Sequence, residues 1–181
     1  MSVSRLDLSL FLRDVVDFPK PGVVFKDITP LLGDHSAFTD AVTQLAEPYR
    51  DAKITHVVGI EARGFIVAAP VALALGAGFV PVRKPGKLPF TIERETYALE
   101  YGTDTLEIHA DAFASGSQPA RVLIVDDVLA TGGTAKAAVD LVRRLGVEVV
   151  GTSFLIELTF LSGRGTLGAV PIHSLIEVAG N

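Results

Sequence analysis

The sequence contains no cysteine. That excludes disulfides, a cysteine nucleophile and a thiolate-ligated zinc site, and it sets the expectation of a cytoplasmic protein. No unbroken apolar helix of the ~18 residues that span a membrane is expected, and the opening Met-Ser-Val-Ser-Arg-Leu-Asp has no leader signature. A basic excess is also missing: the net charge of −5 argues against a broad nucleic-acid-binding face. Neither a Walker Gly-Lys-Ser/Thr loop nor a Gly-x-Gly-x-x-Gly turn occurs, and there is no internal repeat. His35, His56, His109 and His173 are scattered, without ligand-type spacing. What is present is 181 residues, 49% hydrophobic and 20% charged, the make-up of one globular domain spanning residues 1–181.

Apolar residues at helical spacing (Leu6, Leu10, Phe11, Val15) predict a helix over 3–16. Pro19, Pro21 and Pro30 forbid a long regular element over 17–30. Phe38, Val42, Leu45 and Ala46 mark a second helix. Strands are expected over 54–60, 79–83, 121–126, 147–157 and about 170–178, with helices over 64–75 and 134–145 and a loop holding Gly163 and Gly165. Alternating strands and helices with short links imply an α/β fold, a mostly parallel sheet covered on both faces. Residues 97–101 and 106–108, separated by Gly102-Thr103-Asp104, read as a polar hairpin that could act as a flap over about 85–110.

The chemistry concentrates in Val122 to Ala135, Val-Leu-Ile-Val-Asp-Asp-Val-Leu-Ala-Thr-Gly-Gly-Thr-Ala. A buried strand ends in Asp126 and Asp127, which are costly there without a function. Ala130, Thr131, Gly132, Gly133 and Thr134 form a loop that opens a helix, and the free amides of a helix start bind anions. Acids for hydroxyls and amides for phosphate suggest a sugar phosphate. Arg63 stands at the start of the 64–75 helix, where a cation opposes the macrodipole unless an anion lies between them. Arg83, Lys84 and Lys87 follow another strand end on the same sheet edge. Together these cations suit a pyrophosphate, with bidentate contacts from Arg and point charge from Lys. Phe18 to Asp27 is a proline-stiffened segment that either covers a core edge or stacks on a flat ring; spacing leaves both readings open.

Residues 125–134 resemble the phosphoribosyl pyrophosphate loop of type I phosphoribosyltransferases. Phe18 to Leu32, Glu61-Ala62-Arg63-Gly64-Phe65, Arg83 to Pro89 and Leu99-Glu100-Tyr101-Gly102 resemble the adenine-specific branch of that family, in order and over nearly the whole chain. The resemblance implies a type I fold with an N-terminal hood over about 1–35 and a flexible hairpin flap. It implies purine salvage: adenine and phosphoribosyl pyrophosphate give AMP and pyrophosphate, with Mg²⁺ held mainly by substrate and water. Asp126 and Asp127 would then hold the ribose hydroxyls, and residues 130–134 the 5′-phosphate. Arg63, Arg83, Lys84 and Lys87 would take the pyrophosphate. Phe25 and Leu158 would sandwich the adenine while the Val24 and Lys26 backbones read its edge. Glu100, with Tyr101 beside it, would do acid/base work on the purine. A homodimer is also implied, with Arg83 a candidate to act across its interface. Many relatives carry Arg where Lys26 stands, and 90–94 and 172–181 match less closely.

Two other readings compete. A regulator that senses phosphoribosyl pyrophosphate without chemistry would carry an added DNA-binding domain, for which no length is expected ahead of the first core strand. A xanthine- or orotate-specific relative would lack the Pro-Gly-Val-Val-Phe of residues 21–25.

Overall fold

A computed structural model of the chain describes residues 5–98, 102–114 and 119–180. In chain order the strands are β1 (Arg13–Val16), β2 (Val24–Asp27), β3 (His56–Ile60), β4 (Gly78–Val82), β5 (Ile92–Ala98), β6 (Thr103–His109), β7 (Arg121–Leu129), β8 (Glu148–Leu158) and β9 (Ile172–Val178). The α-helices are α1 (Thr29–Gly33), α2 (His35–Ala46), α3 (Arg63–Leu75), α4 (Gly133–Arg144) and α5 (Gly163–Leu167). A five-stranded sheet runs β4-β3-β7-β8-β9, with every neighbouring pair parallel. This is the α/β architecture that the alternation of elements implied.

Successive side chains on these strands point to opposite faces. Val57, Leu123 and Leu155 join a core with Ala41 and Leu45 of α2 and Val67 and Val71 of α3. Val58, Ile124 and Phe154 join a second core with Ala138, Val139 and Val142 of α4 and with Leu106 and Ile108 of β6. With both faces covered, the strands must be continuously apolar, which explains the Val-Leu-Ile-Val run of β7. α3 tolerates its internal Pro70 and ends at Gly76, whose left-handed φ of 65° suits a residue without a Cβ.

The structure corrects three local expectations. Residues 3–16 are not one helix: Leu8–Phe11 form a single 3-10 turn capped by Asp7, and Arg13–Val16 form a strand. β1 pairs antiparallel with β2, which sets Arg13 against Asp27 and Asp14 against Lys26. Lys26 Nζ lies 2.6 Å from Asp14 Oδ1, so cross-strand ion pairs and the β-branched Val15-Val16 outweigh a weak helical period. The hairpin turn does not lie at Gly102-Thr103-Asp104, because Thr103 pairs with Ala98 and Asp104 with Tyr97 inside the ladder. The hairpin is partly exposed, as its polar residues imply, but its second strand buries Leu106, Glu107 and Ile108 completely. Residues 163–167 form α5 rather than a loop.

One buried polar contact joins a helix end to the sheet. The Tyr49 hydroxyl donates to the Thr152 carbonyl over 3.0 Å, and burial pushes the phenol pKa up to about 12. Tyr49→Phe should cost about 1–2 kcal/mol, a drop of several degrees in the thermal midpoint measured by calorimetry. An unchanged midpoint would show that this hydrogen bond contributes nothing.

Candidate active site

Parallel strands place all their carboxyl ends on one edge, and Arg63, Arg83 and the Asp126 to Thr134 stretch gather there. A cleft of ≈ 250 Å³ is lined by Arg63 and the continuous stretch from Asp126 to Ala135. Gly132 adopts a left-handed φ of 84°, and no side chain caps the start of α4. Its first amides therefore remain available to an anion, reinforced by the helix dipole.

Asp126 and Asp127 stand on β7 where it passes the start of α3. Asp126 Oδ1 accepts the Asp127 amide over 2.9 Å. A Cβ on Gly64 would lie 2.3 Å from that same oxygen, so only glycine lets α3 approach the carboxylate. Burial, and then the Asp127 charge, push the Asp126 carboxyl well above the ordinary carboxylate range. Burial pushes Asp127 up as well, against the pull of Arg63. Arg63 Nε lies 2.8 Å from Asp127 Oδ2, yet that oxygen receives no well-aligned hydrogen bond. The guanidinium also covers the Phe25 ring at 4.8 Å, which brings the N-terminal hairpin to the site. Phe18 packs edge-on against Phe25 with ring centres 5.2 Å apart.

The second group of cations is organised by a carboxylate whose role its neighbours in the chain do not reveal. Glu61, at the end of β3, contacts Arg83 Nε at 3.2 Å and Lys87 Nζ at 2.7 Å, and it accepts the Lys84 amide at 2.9 Å. Burial pushes its carboxyl up, but these partners prevail and hold it at about 2. Lys84 Nζ pairs with Asp104, to which the Tyr97 hydroxyl also donates over 3.3 Å. Tyr97 in turn shares a hydrogen bond of 3.1 Å with the Thr134 hydroxyl. A polar chain thus runs from the 83–87 cations, through the β5–β6 hairpin, to the loop before α4. Glu107 secures the hairpin: its backbone bridges Arg83, and its carboxylate accepts the Gly86 amide at 3.0 Å.

Leu158 ends β8 on the same edge, beside Val178 of β9. Val24, Phe25 and Lys26 lie on β2, with Val24 exposed and Lys26 paired to Asp14. The structure brings Phe25 to Arg63 and the acid pair. Glu100 and Tyr101 lie outside the described residues. Asp104, Tyr97 and Glu107 were not foreseen, because Gly-Thr-Asp reads as a turn and a glutamate between two apolar residues reads as solvent-facing.

Residues 31–158 match the model of the phosphoribosyl transferase domain family. The adenine phosphoribosyltransferase of Thermobifida fusca is 60% identical over 168 residues, which cover 93% of this chain and 94% of that protein. The crystal structure of adenine phosphoribosyltransferase from Rhodothermus marinus superposes with a TM-score of 0.88 at 55% identity, covering 94% of this chain and 96% of that one. The Saccharomyces cerevisiae enzyme, solved with adenine and an imino-altritol bisphosphate, has a TM-score of 0.85 at 40% identity over 92% and 95% of the two chains.

The raised acid pair makes a signed prediction. A carboxyl whose folded pKa exceeds its unfolded value costs stability once ionised, so that cost grows as pH rises above the ordinary carboxylate range. Asp126→Asn keeps an acceptor for the Asp127 amide and removes the repulsion. The ligand-free variant should melt about 2–4 °C higher near neutral pH, with the gain shrinking on acidification. A lower midpoint across the whole pH range would contradict the assigned electrostatic cost.

Proposed function

The chain belongs to the phosphoribosyl transferase family, and we propose that it transfers the phosphoribosyl group from 5-phosphoribosyl 1-pyrophosphate to adenine, yielding AMP and pyrophosphate. The observation that carries the reading is the cleft itself: two adjacent carboxylates, one guanidinium and an uncapped helix start share one small volume. The adenine phosphoribosyltransferases similar over nearly the whole chain support adenine as the base.

On this reading the amides and hydroxyls of residues 130–134 bind the 5′-phosphate, while Asp126 and Asp127 take the ribose hydroxyls. Loss of pyrophosphate from the anomeric carbon builds positive charge on the ribose ring, as in glycoside cleavage. The carboxylates beside it, little screened by solvent, attract that charge and so favour its development. Arg63, Arg83, Lys84 and Lys87 exchange their carboxylate partners for the leaving pyrophosphate. Adenine lies between Phe25 and Leu158, its edge read by the Val24 and Lys26 backbones. Glu100 handles the purine proton, with Tyr101 beside it, as the β5–β6 hairpin closes and excludes water that would compete for the ribose.

Mg²⁺ fits this donor set as an ion that arrives with substrate. Asp127 Oδ2 is a buried hard oxygen without a hydrogen bond, and among the described residues no group of three or more His, Cys, Asp or Glu forms a cage. When bound, the ion would neutralise charge on the pyrophosphate.

The reading includes a cytoplasmic homodimer. Ile66, Leu73 and Phe79 on α3 and the edge strand β4 are 44%, 83% and 37% exposed, and a second copy would cover that apolar face beside Arg83. Among the described residues no helix is long and apolar enough to cross a membrane. Leu73→Glu should therefore shift the protein toward monomer in light scattering. An unchanged mass would move the interface elsewhere.

A base panel with Mg²⁺ and phosphoribosyl pyrophosphate tests the activity. AMP from adenine should form far faster than any other nucleotide. Equal turnover of hypoxanthine or orotate would sink the base assignment, and tight binding without turnover would favour a sensor.

A further inference from the structure

The loop that lines the cleft has a back wall, and that wall is α5. The Thr166 hydroxyl donates to the Thr131 carbonyl over 2.7 Å. Gly163 faces the preceding carbonyl so closely that a Cβ there would lie 2.2 Å from Ala130 O. A Cβ on Gly132 would likewise meet Gly163 O at 2.6 Å and Thr166 Cβ at 2.9 Å. Two successive carbonyls of the loop, those of Ala130 and Thr131, therefore face α5.

In a trans peptide the carbonyl and the amide of one plane point in opposite directions. Holding the Ala130 carbonyl against α5 sends the Thr131 amide the other way, and holding the Thr131 carbonyl does the same for the Gly132 amide. The opposite side of the loop is the cleft. We propose that Gly163 and Thr166 are positioning residues that set the polarity of these two peptide planes, so that both amides meet the phosphate already oriented. The proposal rests on the reading of this loop as the 5′-phosphate site.

α5 is only five residues long and cannot hold itself in place. An ion pair to a buried carboxylate holds it. Arg164 grips Glu157 with Nε at 2.7 Å and Nη2 at 2.6 Å, and the Ser174 hydroxyl donates to the same carboxylate at 2.6 Å. Glu157 is 3% exposed and pairs in the ladder with Leu129, the residue just before the loop. Burial pushes its carboxyl up, but Arg164 and Ser174 prevail and hold it below the ordinary range. One rigid point on β8 thus anchors α5 beside the root of the loop it supports. Preorganised amides need no reorganisation when charge arrives, and this is what makes such sites effective.

Thr166 is exposed, so Thr166→Val tests the hydroxyl without disturbing a core. The measurement is calorimetric titration of ribose 5-phosphate, and separately of pyrophosphate with Mg²⁺, into the wild-type chain and the variants. Steady-state kinetics run alongside. Thr166→Val should weaken ribose 5-phosphate about tenfold, the loss expected from one hydrogen bond to a loop that binds charge. The KM for phosphoribosyl pyrophosphate should rise with it, while pyrophosphate affinity and the KM for adenine stay level. Thr166→Ser should restore wild-type behaviour. Gly163→Ala, which drives a methyl into Ala130 O, should show the same selective loss.

If wild type binds ribose 5-phosphate and Thr166→Val binds it equally well, the positioning role falls while the site reading stands. Equal weakening toward ribose 5-phosphate, pyrophosphate and adenine would also overturn it, since that is the mark of general loosening. If wild type itself binds no ribose 5-phosphate, the site reading fails and takes the proposal with it.

Discussion

The site depends on the parallel alignment of β3, β4, β7 and β8. Four parallel strands deliver Glu61, Arg83, the Asp126-Asp127 pair and Leu158 to a single edge, although up to 97 residues separate them in the chain. A reversed strand would send its terminal residue to the far side of the sheet. The alignment also demands that both faces be covered, by α2 and α3 on one side and by α4 with β6 on the other. Only the strand ends are then left for polar chemistry. Fold and site are in this sense one constraint.

Around that edge, each cation of the site is held by a carboxylate. Asp127 faces Arg63, Glu61 gathers Arg83 and Lys87, and Asp104 holds Lys84. These pairings keep the cations ordered, so on the proposed reading a phosphate group would replace an existing partner rather than order free side chains. The pairs differ in cost. Glu61 is held at about 2, so its contribution is present above the ordinary carboxylate range and is lost as pH falls toward 2. The Asp126-Asp127 pair is pushed the other way and destabilises the fold when ionised. Stability is given up at the Asp126-Asp127 pair and regained at the acids that hold the cations.

Much of the framework was legible in order. The sheet strands, α2, α3 and α4 follow from apolar runs and helical periods, because burial on two faces leaves a plain mark on composition. The Asp126 to Thr134 segment was legible as one candidate site because strand, acids, glycines and helix start are contiguous, and in the fold they line one cleft. Misreadings arose where pairing decided structure. Arg13-Asp14 became a strand because Lys26 and Asp27 stood opposite, and Thr103-Asp104 entered the hairpin because Ala98 and Tyr97 did. Gly163 to Leu167 looked like a loop because glycines dominate it, and its helix is held by an ion pair to a residue on another strand.

By itself, the sequence determined the chemical vocabulary of this protein: a buried strand that carries two adjacent acids, a glycine turn into a helix start, and cations at two other strand ends. Each is a local pattern, written in neighbouring residues and legible without a partner. Only the tertiary structure decided which cation meets which carboxylate, that Tyr97 reaches Thr134, and that Thr166 and Gly163 stand behind the loop. Those contacts join residues 20 to 64 positions apart, and their geometry comes from strand register and the docking of the hairpin and α5. Hydrogen bonds act over about 3 Å, and no spacing rule along a chain brings atoms that close when the chain must first cross the sheet.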